Sequence, residues 1–194
     1  MRALALALVL FASWPGRAVA QRFGGQYGGG AGFWIQYLAP NITAEDAFGR
    51  DVGGVVMLGG RGFLQIGRVR LGGGGFGGSF TDEGVNDAGN EVTGGVSGGG
   101  FIAEYLVLRD NYEVAVGGLA GGGSFSVEER LDLRGDVEAL RRRKKAIFIG
   151  EPWVRVAYNL APFVNAGLQI GYLIGSEDFH GFSVGLDVLV GLIP

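Results

Sequence analysis

Glu104, Glu113, Glu151 and Asp187 are carboxylates set inside stretches that alternate apolar and polar residues; Arg70 and Arg155 are cations in the same setting. Two carboxylates brought together could do general acid–base work. A carboxylate buried in a narrow β-structure instead needs a cation and hydrogen bonds around it. These six residues, with Gln169, are expected to form a polar network inside a barrel. His180 is the single histidine. Ser183 lies three residues on, which in a strand puts the two on opposite faces. A nucleophile and its base must meet, so no catalytic residue is expected. The absence of cysteine excludes thiolate metal sites and disulfides. One histidine leaves little basis for zinc. No metal and no cofactor are expected.

Gly73-Gly74-Gly75-Phe76-Gly77-Gly78 fits the spacing of a dinucleotide-binding loop. That chemistry needs a strand before the glycines and a helix after them, and here glycine simply continues a strand-like run. Arg141-Arg142-Arg143-Lys144-Lys145 is the densest charge run. It could contact anionic lipid head groups or phosphorylated saccharide, or be an ordinary solvated segment. It lacks the interleaved aromatics of a nucleic-acid surface. The net charge of −3 gives no support for nucleic acid either. Arg134-Gly135-Asp136 matches a short adhesion tripeptide by accident of composition.

The elements that must position these residues are strands. Phe182, Val184, Leu186, Val188, Val190 and Leu192 share one face, with Ser183, Gly185, Asp187, Leu189 and Gly191 on the other. Residues 164–174 repeat the design. Weaker versions give eight expected strands: 25–38, 52–67, 69–80, 97–108, 112–126, 146–158, 163–175 and 181–193. Gly67-Arg68-Val69, Arg109-Asp110-Asn111 and Asn159-Leu160-Ala161-Pro162 read as tight hairpin turns. Longer connections alternate with them: Ala39 to Asp51, Thr81 to Val96, Glu128 to Lys145 and Ser176 to Gly181. A short helix is expected around Asp136 to Arg143. In an up-and-down arrangement all the long connections then fall at one end and all the tight turns at the other.

The first twenty residues read as an export signal. Arg2 opens it, Ala3 to Ala12 is apolar, Pro15 and Gly16 break it, and Ala18-Val19-Ala20 offers the cleavage pattern. The apolar run is too short for a bilayer-spanning helix, which needs roughly 20 residues. Residues 21–194 are then one domain. The chain carries 40 glycines without the three-residue period of collagen. The expected fold is all-β, a glycine-rich antiparallel up-and-down barrel of about eight strands.

Alternation alone fits a soluble barrel or one turned inside out in a membrane. The polar positions favour the second, because they use few lysines and many Gly, Gln and Asn. Glycine on an inward face suits an eight-strand lumen, wide enough only for side chains. Charge also concentrates in the connections, at Asp82-Glu83, Glu128 to Arg130 and Arg141 to Lys145. In layout and alternation the chain resembles the small eight-stranded outer-membrane barrels typified by the transmembrane domain of outer-membrane protein A. The resemblance covers residues 21–194 and rests on no specific motif. It implies a non-enzymatic barrel in the bacterial outer membrane, in contact with its lipid, with a structural or surface-contact role. Two alternatives stand beside it: a soluble secreted β-protein that binds a ligand or self-assembles, and a lipid-modifying barrel enzyme.

Overall fold

The computed structural model describes residues 27–40, 54–81, 84–85, 91–133, 137–176 and 179–192. Residues 1–20, where an export signal is expected, and the Arg134-Gly135-Asp136 tripeptide lie outside them. Nine strands follow in chain order: β1 Tyr27–Pro40, β2 Val55–Ile66, β3 Val69–Phe80, β4 Gly84–Val85, β5 Glu91–Arg109, β6 Tyr112–Leu133, β7 Val137–Ala161, β8 Val164–Gly175 and β9 His180–Leu192. Each long strand pairs antiparallel with the next, β3 pairs with β5, and β1 pairs with β9. That last pairing closes an eight-strand up-and-down barrel and leaves no edge within the ring. The two-residue β4 lies outside the ring and pairs only with β5.

The tight turns gather at one end. Gly67 carries φ +58°, the left-handed conformation that a two-residue hairpin demands. The next tight turn is Asp110–Asn111. The third departs from expectation: β7 runs on to Ala161 through a register shift at Asn159/Ala161, and the turn falls on Pro162–Phe163. Proline cannot donate to a ladder, so the strand ends before it.

The larger departure is at the other end. The connection expected over Glu128 to Lys145, with its helix at Asp136 to Arg143, is mostly strand. β6 and β7 are 22 and 25 residues long, and stay in register from Phe125↔Lys145 out to Leu133↔Val137. A helix of about eight residues is too short to hold alone. The ladder instead satisfies the backbone and sets Glu128 opposite Arg142 and Glu129 opposite Arg141. β5 likewise begins at Glu91, inside the expected 81–96 connection, and pairs with β6 out to Arg130.

The faces are those of an inverted protein. Outward positions are apolar and exposed: Leu64 is 69% and Phe182 68% accessible, and Phe33, Leu58, Phe101, Val154 and Leu186 are also exposed. Inward positions bury Arg61, Arg70, Arg155, Glu104, Glu113, Glu151 and Asp187. Aromatic side chains mark two levels of the outer face. Tyr27, Tyr105, Tyr112, Tyr158 and Phe163 stand near the tight turns, with Tyr112 and Tyr158 5.2 Å apart. Tyr37, Phe148 and Phe182 stand toward the other end, where Phe182 packs edge-on against Tyr172 at 4.9 Å. Such girdles sit at the two interfaces of a membrane barrel.

Candidate functional site

Period-two geometry sends every second residue of each strand into the lumen. Nearest the tight turns, Arg70 on β3 grips Glu113 on β6 through both terminal nitrogens, at 2.5 and 2.6 Å. Its Nε donates to Gln65 Oε1 at 2.8 Å. Arg155 on β7 donates to Glu113 Oε1 at 2.6 Å, to Asp187 Oδ2 at 2.7 Å and to Asn165 Oδ1 at 2.6 Å. Arg61 on β2 donates to Glu104 Oε1 at 2.8 Å and also to Asp187 Oδ2. Trp153 Nε1 donates to the same Glu104 oxygen at 3.0 Å. Three guanidiniums thus interleave three carboxylates, contributed by six strands.

Arg70, Glu104, Glu113, Arg155 and Asp187 therefore meet in one network. Glu151 sits in a separate cluster, where Ser183 Oγ donates to its Oε1 at 2.7 Å and Gln36 Nε2 donates to the same oxygen. Among the described residues Glu151 has no ion-pair partner. Gln169 is buried on the same inward face, but no hydrogen bond joins it to either cluster among the described residues. Sequence reasoning missed Arg61 and Trp153. Arg61 lies four residues before Gln65, an even spacing that puts both on one face. Trp153 lies two residues from both Glu151 and Arg155 and carries the same even-spacing signal, overlooked because an indole reads as apolar and hence as outward-facing.

Inward glycines make the space these groups occupy. A Cβ on Gly167 would lie 2.7 Å from Asp187 Oδ1 and 2.9 Å from Arg155 Nη2. Towards the long connections the lumen turns apolar. Leu38, Met57, Phe76, Ile149, Leu173 and Phe179 belong to one packed cluster there. Phe80 and Phe125 meet edge to face at 5.5 Å against it.

The network is built to hold charge, with each of its carboxylates gripped by at least one arginine. A general acid or base needs a proton it can exchange with a substrate, and these groups are committed to each other. His180 and Ser183 stay apart: the ring pairs with Tyr172 Oη at 3.0 Å, while Ser183 points inward to Glu151. The Gly73–Gly78 run lies wholly within β3, and no helix follows it among the described residues. Among the described residues no cluster of His, Cys, Asp and Glu could hold a metal ion.

The basic run Arg141 to Lys145 lies on β7, beyond the point where β8 pairs with it; that pairing begins at Ile149↔Gly175. Lys144 and Lys145 are exposed. The polar lumen and the basic run thus occupy different parts of the molecule.

No protein-family model matches the chain, and no curated protein matches its sequence. Solved structures similar to it include Ail, the attachment invasion locus protein of Yersinia pestis, at 12% identity over 86% of this chain and 98% of that one, TM-score 0.49. Neisserial surface protein A is 9% identical over 85% and 96%, TM-score 0.48. The N-terminal β-barrel domain of Pseudomonas aeruginosa OprF is 12% identical over 84% and 98%, TM-score 0.44. The chain has the closed eight-strand architecture of small outer-membrane barrels. Its own strand register carries that statement.

Proposed function

We propose that this protein crosses the bacterial outer membrane as a non-enzymatic barrel and serves envelope structure or surface contact. One observation carries the reading: an apolar, exposed outer face encloses buried arginines and carboxylates. In water that arrangement would leave a contiguous apolar belt hydrated, far beyond the patches a soluble protein tolerates. In a bilayer the same belt meets lipid, and the closed ladder leaves no strand edge in the hydrocarbon. Strands of 12 residues, as in β2, β3 and β8, are long enough to cross when tilted.

Export with removal of residues 1–20 starts β1 from the periplasmic side. The tight turns then stay periplasmic and the long ends of β5, β6 and β7 project outward. The projecting ribbon carries the Arg141 to Lys145 run, which is the surface-contact element for anionic groups. Fractionation tests the reading. The protein should sediment with outer membranes, resist extraction by salt and alkali, need detergent, and migrate differently on gels before and after boiling. Recovery in a soluble fraction at every step contradicts it.

A further inference from the structure

Among the described residues, β7 has an open edge. From Ile149 onward it pairs with β8, but residues 137–147 pair only with β6 among the described residues. Ser176 caps the boundary: its N–H donates to the Phe148 carbonyl, and its hydroxyl accepts from the Phe148 N–H, both at 3.1 Å. Both backbone groups of Phe148 therefore point to the β8 side. In an antiparallel ladder this direction repeats every second residue, and the β6–β7 register is unbroken. Ala146, Lys144, Arg142, Leu140 and Glu138 thus turn their backbone donors and acceptors to the open side. The edge extends about 35 Å along the strand at its usual rise per residue.

An open edge is a template for another strand. Glu128 and Glu129 stand opposite Arg142 and Arg141 across the β6 ladder, but five consecutive cations outnumber them, and that excess selects the occupant of the edge. A second copy of β7 would bring the same five consecutive cations alongside, and like charges across a strand pair are destabilising. A polyanionic glycan would meet the charge but leave the spaced backbone groups of the edge unanswered. An acidic peptide in extended form answers both. We infer that the open edge of β7 takes up an acidic, extended peptide segment as an added strand, with residues Arg141 to Lys145 supplying the charge preference. This is recognition by strand addition, in which the backbone ladder gives affinity and the flanking side chains give selectivity. The inference rests on the outward orientation proposed above.

The test uses the full chain folded in detergent micelles, its fold verified by heat-dependent gel migration. The probe is a fluorescent ten-residue peptide alternating glutamate and threonine. Saturable binding is expected, weakened about tenfold or more when alternate peptide nitrogens are methylated, since methylation removes ladder donors at constant charge. Leu140→Pro should weaken binding similarly. It removes an open-edge N–H, spares the β6 ladder and leaves the charge unchanged. Replacing all five basic residues by glutamine should abolish selectivity for the acidic peptide over a neutral one. Equal affinity for the methylated peptide overturns the inference in favour of plain electrostatics, as does heparin binding with no peptide binding. Absence of peptide binding to the folded barrel also overturns it and leaves the membrane reading standing. A chain that stays folded and monomeric without detergent sinks the membrane reading instead.

Discussion

Arg155 and Asp187 meet at 2.7 Å although their strands, β7 and β9, are not neighbours. β8 runs between them. The two side chains reach each other across Gly167, which has no Cβ to block the path. Asp187 also accepts from Arg61, so a single carboxylate ties the lumen side of β2, β7 and β9 together. Leaving a buried charge unpaired is costly.

Asp187→Asn should therefore destabilise the folded barrel by about 3–5 kcal/mol, the range for removing one partner of a buried pair. Urea unfolding in lipid vesicles measures it. Gly167→Val should also destabilise by separating the two groups. A midpoint unchanged for Asp187→Asn would show that the network contributes nothing to stability.

Two glycines separate close packing from open space. A Cβ on Gly59 would lie 2.4 Å from the Trp34 ring, whereas one on Gly77 meets nothing within 4 Å. Gly59→Ala should cost about 1–3 kcal/mol through overpacking. Gly77→Ala should be neutral or stabilise by about 0.4–1 kcal/mol, by restricting the unfolded chain. The same unfolding assay compares them, and the reverse order would contradict the assignment of inward and outward faces.

Leu168 and Leu186 pair across β8 and β9 on the outer face, and both are exposed. Leu168→Arg and Leu186→Arg should each lower stability in vesicles by about 2–4 kcal/mol if they lie near the bilayer midplane. Gln169→Met, one residue along but inward, should cost less than about 1 kcal/mol, since Gln169 donates and accepts nothing in the network described. Equal losses at all three positions would remove the case for a lipid-facing surface.

Much of this was legible in the chain. Alternation located all eight barrel strands and separated the two faces of each, because period two is imposed by the backbone itself; which face points outward was read from the composition of the polar positions. β3 runs from Val69 to Phe80, as expected. Charge misled at the outer ends of β6 and β7. Glu128 to Arg130 and Arg141 to Lys145 look like connection chemistry, yet both runs lie in strands, with Glu128 opposite Arg142 and Glu129 opposite Arg141 in register. Arg61 escaped notice between Gly59-Gly60 and Gly62, where alternation of apolar side chains is absent. The sequence puts Arg155 and Asp187 in one lumen network, but their direct contact was not legible. It depends on reach across an intervening strand, which follows from barrel closure and not from any spacing along the chain.

The absence of cysteine permits one direct measurement of the central claim, that the chain spans the outer membrane with β7 projecting outside. Lys144→Cys and Pro162→Cys place single thiols on exposed positions at opposite ends of the barrel. A membrane-impermeant maleimide added to intact cells should label the Lys144→Cys protein. The Pro162→Cys protein should label only after the outer membrane is opened. Labelling of Pro162→Cys alone on intact cells would invert the orientation, and labelling of both variants in a soluble fraction would contradict a membrane barrel outright.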